Sequence, residues 1–210
     1  MSLFVGIVRS KQGLRRDIIA IWSFTLFHGL STMSQDLRLV LKAAFFSGEK
    51  HKDQRRRDEA ETPYINHPLE VAYILMEEGG VTDAPTLAAA LLHDTIEDTN
   101  TTREELLMVF GREVAELVVE LTDLKTTAPE DKKQRELDHA YKLSDKAKRI
   151  KLADKTANIR DLATMPPANW SLERKVAYFE FAAKIVDATG DASPELVSVF
   201  MRDYHHFKPH

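Results

Sequence analysis

The sequence predicts an all-α protein built as one domain, and three observations lead to this prediction. From about Ser34 onward, apolar residues recur every three or four positions, which is the spacing of one helix face. Capping residues, glycines and prolines separate these segments at intervals typical of helices. No segment shows the sustained alternation of a strand, and neither a glycine-rich phosphate loop nor an internal repeat is found. A chain of 210 residues is long enough to bury one large core.

The predicted helices follow one another along the chain, and most of them begin at a capping residue or proline. A polar loop, Asp53 to Thr62, separates the first helix from the second. Thr102 and Glu105 form a capping-box pattern at the start of a short helix. The expected bounds are Ser34 or Asp36 to Lys52, Asn66 to Met76, Asp83 through His93 and Asp94, Thr102 to Gly111, Glu113 to Leu124, Ile150 to Leu162, Ser171 to about Ala188, and Ser193-Pro194 to the C-terminal tail.

Two stretches need a separate interpretation. The first helix carries one apolar stripe, made of Leu37, Val40, Leu41, Ala44 and Phe45. Residues 129–148, in contrast, are rich in charge and weakly apolar. They are predicted to form a solvated helix or a mobile loop, and a lid is one interpretation of residues 126–148.

Both ends of the chain are predicted to lie outside the main domain, which we place at residues 34–205. Four basic residues between positions 9 and 16 precede the apolar run Ile18 to Phe27, a pattern that superficially resembles a signal peptide. The run is too short to span a bilayer, and no small-residue cleavage pattern follows it. We interpret residues 1–33 as a dispensable extension, or a start assigned too early, in preference to an export signal.

The C-terminal tail, residues 206–210, belongs to the histidine-rich stretch Tyr204 to His210. Its histidine content resembles that of a metal-binding segment. Because no carboxylate or capping partner accompanies the histidines, a frayed terminus is the favoured interpretation.

Composition excludes several classes of protein. The net charge of −4 and a pI near 6.1 argue against a general nucleic-acid binder, which would be strongly basic. The chain has no cysteine, so disulfides and thiolate-bound zinc are excluded, and a reducing compartment is compatible. We expect a cytoplasmic protein with no membrane partner. Apolar helix faces serve cores and interfaces alike, so a homo-oligomer remains open.

Four ionisable side chains interrupt an otherwise apolar segment, Leu91-Leu92-His93-Asp94-Thr95-Ile96-Glu97-Asp98. On a continuous helix His93 and Glu97 lie one turn apart, as do Asp94 and Asp98, and all four fall within an arc of about 140°. Burying a carboxylate in an apolar layer costs several kcal/mol unless a cation or hydrogen bonds compensate. A divalent metal with a bound water would compensate that cost.

A metal site needs ligands from more than one element, and two further residues are candidates. His67 lies where a loop meets a helix, beside Asn66 and Pro68. Asp154 lies within an apolar stripe. Taken singly, His67 is more often a cap or a core hydrogen-bonder than a ligand, and Asp154 could pair with Lys151 or Lys155. The adjacent His93-Asp94 pair favours the metal interpretation of both.

The ordered set His67, His93-Asp94 and Asp154 resembles the metal-binding signature of the HD phosphohydrolase superfamily. Longer motifs resemble the hydrolase domain of RelA/SpoT proteins and, within that branch, the stand-alone small alarmone hydrolases, including the animal SpoT homologues. The resemblance covers roughly residues 35–205. The motifs are Gln54-Arg55-Arg56-Arg57, Thr62-Pro63-Tyr64-Ile65-Asn66-His67-Pro68, Ala90-Leu91-Leu92-His93-Asp94-Thr95-Ile96-Glu97-Asp98-Thr99, Lys151-Leu152-Ala153-Asp154-Lys155, Asn169-Trp170-Ser171 and Tyr178-Phe179-Glu180.

The resemblance implies a metal centre with an acidic pair beside it. One Mn²⁺ would be held by four ligands, which are His67, His93, Asp94 and Asp154. Glu97 and Asp98 match the pair that orients the attacking water and manages protons at the scissile phosphate. The general chemistry agrees, because two imidazoles and two carboxylates suit Mn²⁺ and leave positions for water and a phosphate oxygen.

The resemblance also implies a substrate and a pocket. The reaction would remove pyrophosphate from the 3′ position of guanosine tetra- or pentaphosphate, giving GDP or GTP. No synthetase segment follows in this chain, which points to a hydrolase that only degrades the alarmone. Five cations between Lys50 and Arg57 are placed to hold the anionic substrate. Positions that match the nucleotide pocket are Arg56, Arg57 (commonly Lys in the family), Tyr64, Asn158 and Tyr178.

Three hypotheses about function remain open. The first is the Mn²⁺-dependent alarmone 3′-pyrophosphohydrolase. The second keeps the same machinery for another nucleotide, such as NADPH losing its 2′-phosphate or a nucleoside monophosphate. The third is a non-catalytic nucleotide sensor, which is disfavoured because the four ligand positions and the Glu97-Asp98 pair are all intact.

Overall fold

The computed structural model describes residues 35–122 and 129–209, except for the side chains of 129–131. Within these ranges the regular elements are helices, and the one β feature is an isolated antiparallel bridge between Arg55 and Pro63. The all-α prediction is confirmed. Leu39–His210 form one compact unit, consistent with a single domain. The predicted extension, residues 1–33, lies outside the described ranges.

The helices follow the predicted order, with short connections between them. A π-helical turn, Ile74–Glu78, prolongs α2, and a 3₁₀ turn, Gly190–Ala192, joins the last two helices. None of the described helices is long and apolar enough to cross a membrane. The bounds are α1 at residues 35–50, α2 Asn66–Tyr73, α3 Ala84–Leu92, α4 Thr95–Asp98, α5 Arg103–Phe110, α6 Arg112–Leu121, α7 Pro129–Ala140, α8 Asp145–Thr164, α9 Leu172–Thr189 and α10 Pro194–Phe207.

The predicted caps explain where several helices begin. The carboxylate of Asp83 accepts from the amide of Thr86 at 3.0 Å, and the hydroxyl of Thr102 accepts from the amide of Glu105 at 3.2 Å. Ser171 and Ser193 cap α9 and α10 in the same way. Each side chain satisfies an amide that has no partner within its helix.

Helix α8 runs through the centre of the core. It packs against α2, α3, α6, α9 and α10, and its Leu152, Ala153 and Ala157 have no exposed surface. Phe179 of α9 and Phe200 of α10 are also fully buried. Because Asp154 lies between these buried positions, the fold carries its carboxylate into the interior, where it needs compensation.

The apolar stripe predicted for α1 does not face the core as a whole. Leu41 and Phe45 are 59% and 73% exposed, whereas Ala43 is fully buried and Val40 packs partly against the core. α1 is apolar on more than one side, so the spacing of its apolar residues alone does not show which side is buried.

The charged segment after α6 is a helix over Pro129–Ala140, the first of its two predicted alternatives. α8 then begins at Asp145, earlier than the predicted Ile150, because the hydroxyl of Ser144 accepts from the amide of Ala147 at 3.4 Å and caps the helix. Residues 123–128, including the predicted helix end at Leu124, lie outside the described ranges.

The prediction that the chain frays from Tyr204 is wrong for the first part of that stretch. α10 continues to Phe207. The ring of Tyr204 lies 5.8 Å from that of Phe200 and 6.0 Å from that of Phe179, between ring centroids. These aromatic contacts fasten the last turns of the helix to the core.

Candidate active site

Two histidines and two aspartates that are distant along the chain meet at one point. The Nε2 atom of His67 lies 3.2 Å from Oδ1 of Asp154 and 3.8 Å from Oδ2 of Asp94. The Nε2 atom of His93 lies 3.0 Å from Oδ2 of Asp94 and 3.9 Å from Oδ1 of Asp154. The candidate ligand atoms of His67, His93 and Asp154 all fall within 4.8 Å of one another. The structure therefore brings together all four predicted metal ligands.

The His93-Asp94 pair lies at a break between helices, not inside one helix as predicted. α3 ends at Leu92, and α4 starts at Thr95. Two side chains form hydrogen bonds with carbonyls in the last turn of α3, to which no following helical amide donates. Nδ1 of His93 is 2.7 Å from the carbonyl of Ala90, and the hydroxyl of Thr95 donates to the carbonyl of Leu92 at 2.6 Å. The break places His93 and Asp94 at the rim of the core.

The protonation of His93 suits a metal ligand. Its Nδ1 can donate only when it carries the proton, so the contact with the carbonyl of Ala90 leaves the lone pair on Nε2. In the neutral imidazole that Nε2 atom is buried, and its lone pair faces Oδ2 of Asp94 at 3.0 Å with no proton between them. A buried imidazole nitrogen with a free lone pair is costly unless something binds it, and a divalent cation would do so.

The electrostatics of the cluster also call for positive charge. Burial opposes ionisation of Asp94, but His93 and His67 outweigh it and hold the pKa of Asp94 below its usual range. Burial likewise opposes the charged form of His93, yet the two carboxylates outweigh it and raise the pKa of His93 to about 9. Without a metal, a proton on His93 partly balances the carboxylates. A bound divalent cation would take over this role, and the donor set fits one.

Two hydrogen bonds orient the carboxylates of Asp94 and Asp154. The hydroxyl of Tyr64 donates to Oδ2 of Asp94 at 2.6 Å, and Nδ2 of Asn158 donates to Oδ1 of Asp154 at 2.6 Å. Burial first, and then the negative charge of Asp94, raise the pKa of Tyr64, so it stays a donor. Tyr64 and Asn158 were predicted to line the nucleotide pocket. They also form hydrogen bonds with the two aspartates of the His/Asp cluster.

The acidic pair lies beside the cluster on α4. The amide of Asp98 donates to the carbonyl of Asp94 at 2.9 Å, so Asp98 follows Asp94 by one helical turn as predicted. Its Oδ2 atom accepts from Nε2 of Gln54 at 2.9 Å. Oε1 of Glu97 is 3.5 Å from the ammonium of Lys132 on α7. Both carboxylates thus have neighbours that fix their position.

A cavity of about 330 Å³ opens next to the cluster. Its size and mixed polar and apolar walls suit a nucleotide. Its walls include all five predicted substrate-binding residues, which are Arg56, Arg57, Tyr64, Asn158 and Tyr178. The rest of its lining is Gln54, Arg55, Asp58, Asp98, Asp161, Leu162, Met165, Pro167 and Trp170.

Arg56 is the best-anchored cation of this cavity. It forms a short ion pair with Asp161 and lies 3.4 Å from Oδ1 of Asn158. Its guanidinium also lies over the ring of Tyr64, 5.6 Å from the centroid. Burial raises the pKa of Tyr178 to about 12, so this pocket residue is a neutral hydrogen-bond donor at neutral pH.

Not all of the predicted cations lie at the cavity. Arg55, Arg56 and Arg57 line it, but Lys50 turns to α5 and pairs with Glu105 at 2.9 Å. On α8, Lys155 is buried, with only 6% of its surface exposed. Its ammonium pairs with Asp154 at 3.3 Å and with Glu136 of α7 at 2.8 Å.

Several site residues were not predicted. Asp161 and Leu162 follow Asn158 by one turn of α8, so helical spacing from Asn158 was the available signal. Trp170 lies in a motif that carried the resemblance, but its place in the cavity wall depends on the turn between α8 and α9. Glu136 had no sequence signal, because one acid in a charged helix is unremarkable.

The comparisons with known proteins agree with this geometry. The model of the HD-domain family matches residues 43–182, a range that contains the whole His/Asp cluster. The chain belongs to the HD-domain family. This HD-domain protein is similar to guanosine-3′,5′-bis(diphosphate) 3′-pyrophosphohydrolase MESH1 of Xenopus tropicalis, with 53% identity over 73% of the chain and 86% of the relative. It is 48% identical to MESH1 of Homo sapiens over 73% of the chain and 86% of the relative.

A solved structure extends the similarity to three dimensions. It is that of a metazoan orthologue of SpoT, described as hydrolysing ppGpp and having a role in starvation responses. The TM-score is 0.77 at 39% identity, covering 80% of this HD-domain protein and 94% of the other chain. The resemblance to the animal SpoT homologues is confirmed.

Proposed function

We propose that this HD-domain protein is a metal-dependent hydrolase that removes pyrophosphate from the 3′ position of guanosine-3′,5′-bis(diphosphate). The observation that carries the proposal is the juxtaposition of a buried His/Asp cluster and an arginine-lined cavity of nucleotide size, with Asp98 in the cavity wall. The relatives that are identical at about half of the aligned positions carry the name of this activity.

One divalent cation would be held by His67, His93, Asp94 and Asp154, and we propose Mn²⁺. Imidazole nitrogens and carboxylate oxygens together suit this ion, and four protein ligands leave further positions open. When bound, such an ion polarises a phosphoryl oxygen and lowers the pKa of a water molecule. The hydrogen bonds from Tyr64 and Asn158 to the two aspartates keep the ligand oxygens directed at the same point.

Proton transfer falls to the acidic pair on α4. Glu97 takes a proton from the attacking water, whose oxygen bonds to phosphorus, and returns it to the ribose 3′-oxygen as the bond from that oxygen to phosphorus breaks. Asp98 orients the water. Gln54 holds Asp98, since its amide donates to the carboxylate at 2.9 Å. A carboxylate within one hydrogen bond of the attacking water is the geometry that general-base catalysis requires.

The substrate is a polyanion, so cations must hold it. Arg56 and Arg57 bind its phosphates from the cavity wall, where guanidinium groups give charge-assisted hydrogen bonds. Asn158 and Tyr178 supply polar contacts, and Tyr64 provides the ring over which Arg56 lies. Asp161 limits where Arg56 can point, because the ion pair fixes its guanidinium.

The remaining features of the protein are proposed from the sequence. We place the enzyme domain at residues 34–205, between a dispensable extension and the tail at 206–210, in a cytoplasmic protein. Its partner is a small nucleotide. An oligomer of identical chains is compatible with the exposed Leu41 and Phe45 on α1.

The proposed function is tested by a substrate panel. Purified protein with Mn²⁺ is incubated with guanosine-3′,5′-bis(diphosphate), NADPH or GMP, and released pyrophosphate and phosphate are measured separately. We expect pyrophosphate and GDP from the first substrate, with the highest kcat/KM of the three. Faster release of phosphate from NADPH or GMP would show that this nucleotide is the preferred substrate and would contradict the proposal. Binding of the nucleotides without any turnover would indicate a sensor.

A further inference from the structure

Helix α7 approaches the metal cluster through one carboxylate. Oε1 of Glu136 lies 2.8 Å from the ammonium of Lys155 and 3.4 Å from that of Lys151. The three side chains are 11%, 8% and 13% exposed, so all are largely removed from water. Charges buried to this degree are tolerated only when they are paired, because each loses its hydration.

Lys155 connects Glu136 to the cluster. Its ammonium lies 3.3 Å from Oδ2 of Asp154. The other oxygen of that carboxylate, Oδ1, faces His67 at 3.2 Å and His93 at 3.9 Å. Asp154 therefore offers one oxygen to the cluster and the other to Lys155. Groups that hold the outer oxygen of a ligating carboxylate determine how its inner oxygen is presented.

Helix α7 also docks through contacts that do not involve Glu136. A separate apolar cluster fastens α7 to α9, with Leu137 and Ala140 packed against Phe181, Ile185 and Ala188. Burial opposes ionisation of Glu136, but Lys155 and Lys151 outweigh it and lower the pKa of Glu136 to about 2. Glu136 is therefore an ionised group outside the apolar contact between α7 and α9, and it is directed at the lysine that pairs with Asp154.

We propose that Glu136 is a positioning residue of the metal centre. It holds the ammonium of Lys155 against Oδ2 of Asp154, which directs Oδ1 towards the cation. It also balances the charge of Lys155 and Lys151, two ammonium groups that would otherwise repel a divalent cation nearby. This inference rests on the metal centre of the proposed function.

The test measures metal affinity directly. Mn²⁺ is titrated into metal-free protein, and free Mn²⁺ is counted by electron paramagnetic resonance. We expect Glu136→Gln to raise the Kd for Mn²⁺ about 10-fold, the lower end of the effect of losing a group that orients a ligand. At saturating Mn²⁺ the KM for substrate should stay within about 2-fold, because Glu136 does not line the cavity.

Two control variants on the same helix separate charge from packing. Asp138→Asn removes an exposed carboxylate two positions away, and its Kd should equal that of the unaltered protein. Leu137→Ala loosens the apolar contact with α9 and should lower thermal stability while leaving the Kd within about 2-fold. A Kd in Leu137→Ala raised as much as in Glu136→Gln would show that helix docking, not the carboxylate, matters, and would overturn the proposal.

A double-variant cycle tests the route through Lys155. In a Lys155→Met background, Glu136→Gln should change the Kd by no more than about 3-fold, because the group through which it acts is gone. A full 10-fold effect in that background would refute the route. If the unaltered protein binds no Mn²⁺, the metal centre itself fails. If the unaltered protein binds Mn²⁺ normally and Glu136→Gln has the same Kd, the role of Glu136 is rejected while the metal centre stands.

Discussion

The variant Asp154→Ala is expected to lose metal binding and turnover together. Like Asp94, Asp154 contacts both histidines of the cluster, with its Oδ1 atom 3.2 Å from Nε2 of His67 and 3.9 Å from Nε2 of His93. Its removal leaves three ligands and also deprives Lys155 of one of its two partners. Because polarisation by a metal is worth several kcal/mol of barrier, we expect kcat to fall on the order of 10³-fold or more.

Folding must be separated from metal loss in this experiment. Asp154→Asn keeps the size of the side chain and removes its charge, so it serves as the second variant. Circular dichroism reports whether the helices remain. Asp187→Asn, an exposed aspartate on α9, is the matched control and should keep full metal content and activity. Metal content and kcat that remain normal in a folded Asp154→Asn would remove Asp154 from the ligand set.

The variant Glu97→Gln is expected to keep its bound metal but to lose turnover. Glu97 lies next to the cluster but is not one of its four convergent residues, so the Kd for Mn²⁺ should stay within about 3-fold. The kcat should fall by about 10² to 10⁴-fold, the usual contribution of a general base, with little change in KM. Metal titration and steady-state kinetics on the same preparation check both expectations.

Glu104→Gln is a suitable control for this variant. Glu104 is a nearby carboxylate on α5, 73% exposed at its side chain and 3.9 Å from Arg103. Its replacement should leave kcat unchanged. Full activity in Glu97→Gln would exclude Glu97 from proton transfer, and loss of bound Mn²⁺ would show that it acts on the metal instead.

Much of the fold was predictable because its signals are local. Asp83, Thr102, Ser171 and Ser193 cap helices by accepting hydrogen bonds from the amides three residues ahead, so the sequence alone marks those starts. The four convergent residues were also predictable, since buried acids and histidines in apolar stripes need compensation wherever they meet. The resemblance then specified which of them belong together.

The features that were missed depend on contacts between distant elements. The break after Leu92 needs Thr95 and His93 to bind carbonyls of α3, and helical periodicity continues straight through it. Lys155 appears on the sequence as one of several surface lysines. It is buried because α7 brings Glu136 against it, a contact that no spacing along the chain reveals.

Anomalous diffraction at the manganese edge, from crystals grown with Mn²⁺, is the most direct test of the proposed metal centre. One peak should lie within coordination distance, about 2.0–2.3 Å, of Nε2 of both histidines and of one oxygen each from Asp94 and Asp154. A peak elsewhere, or a density that any one of these four side chains fails to reach, would contradict the proposed centre and the hydrolysis that depends on it.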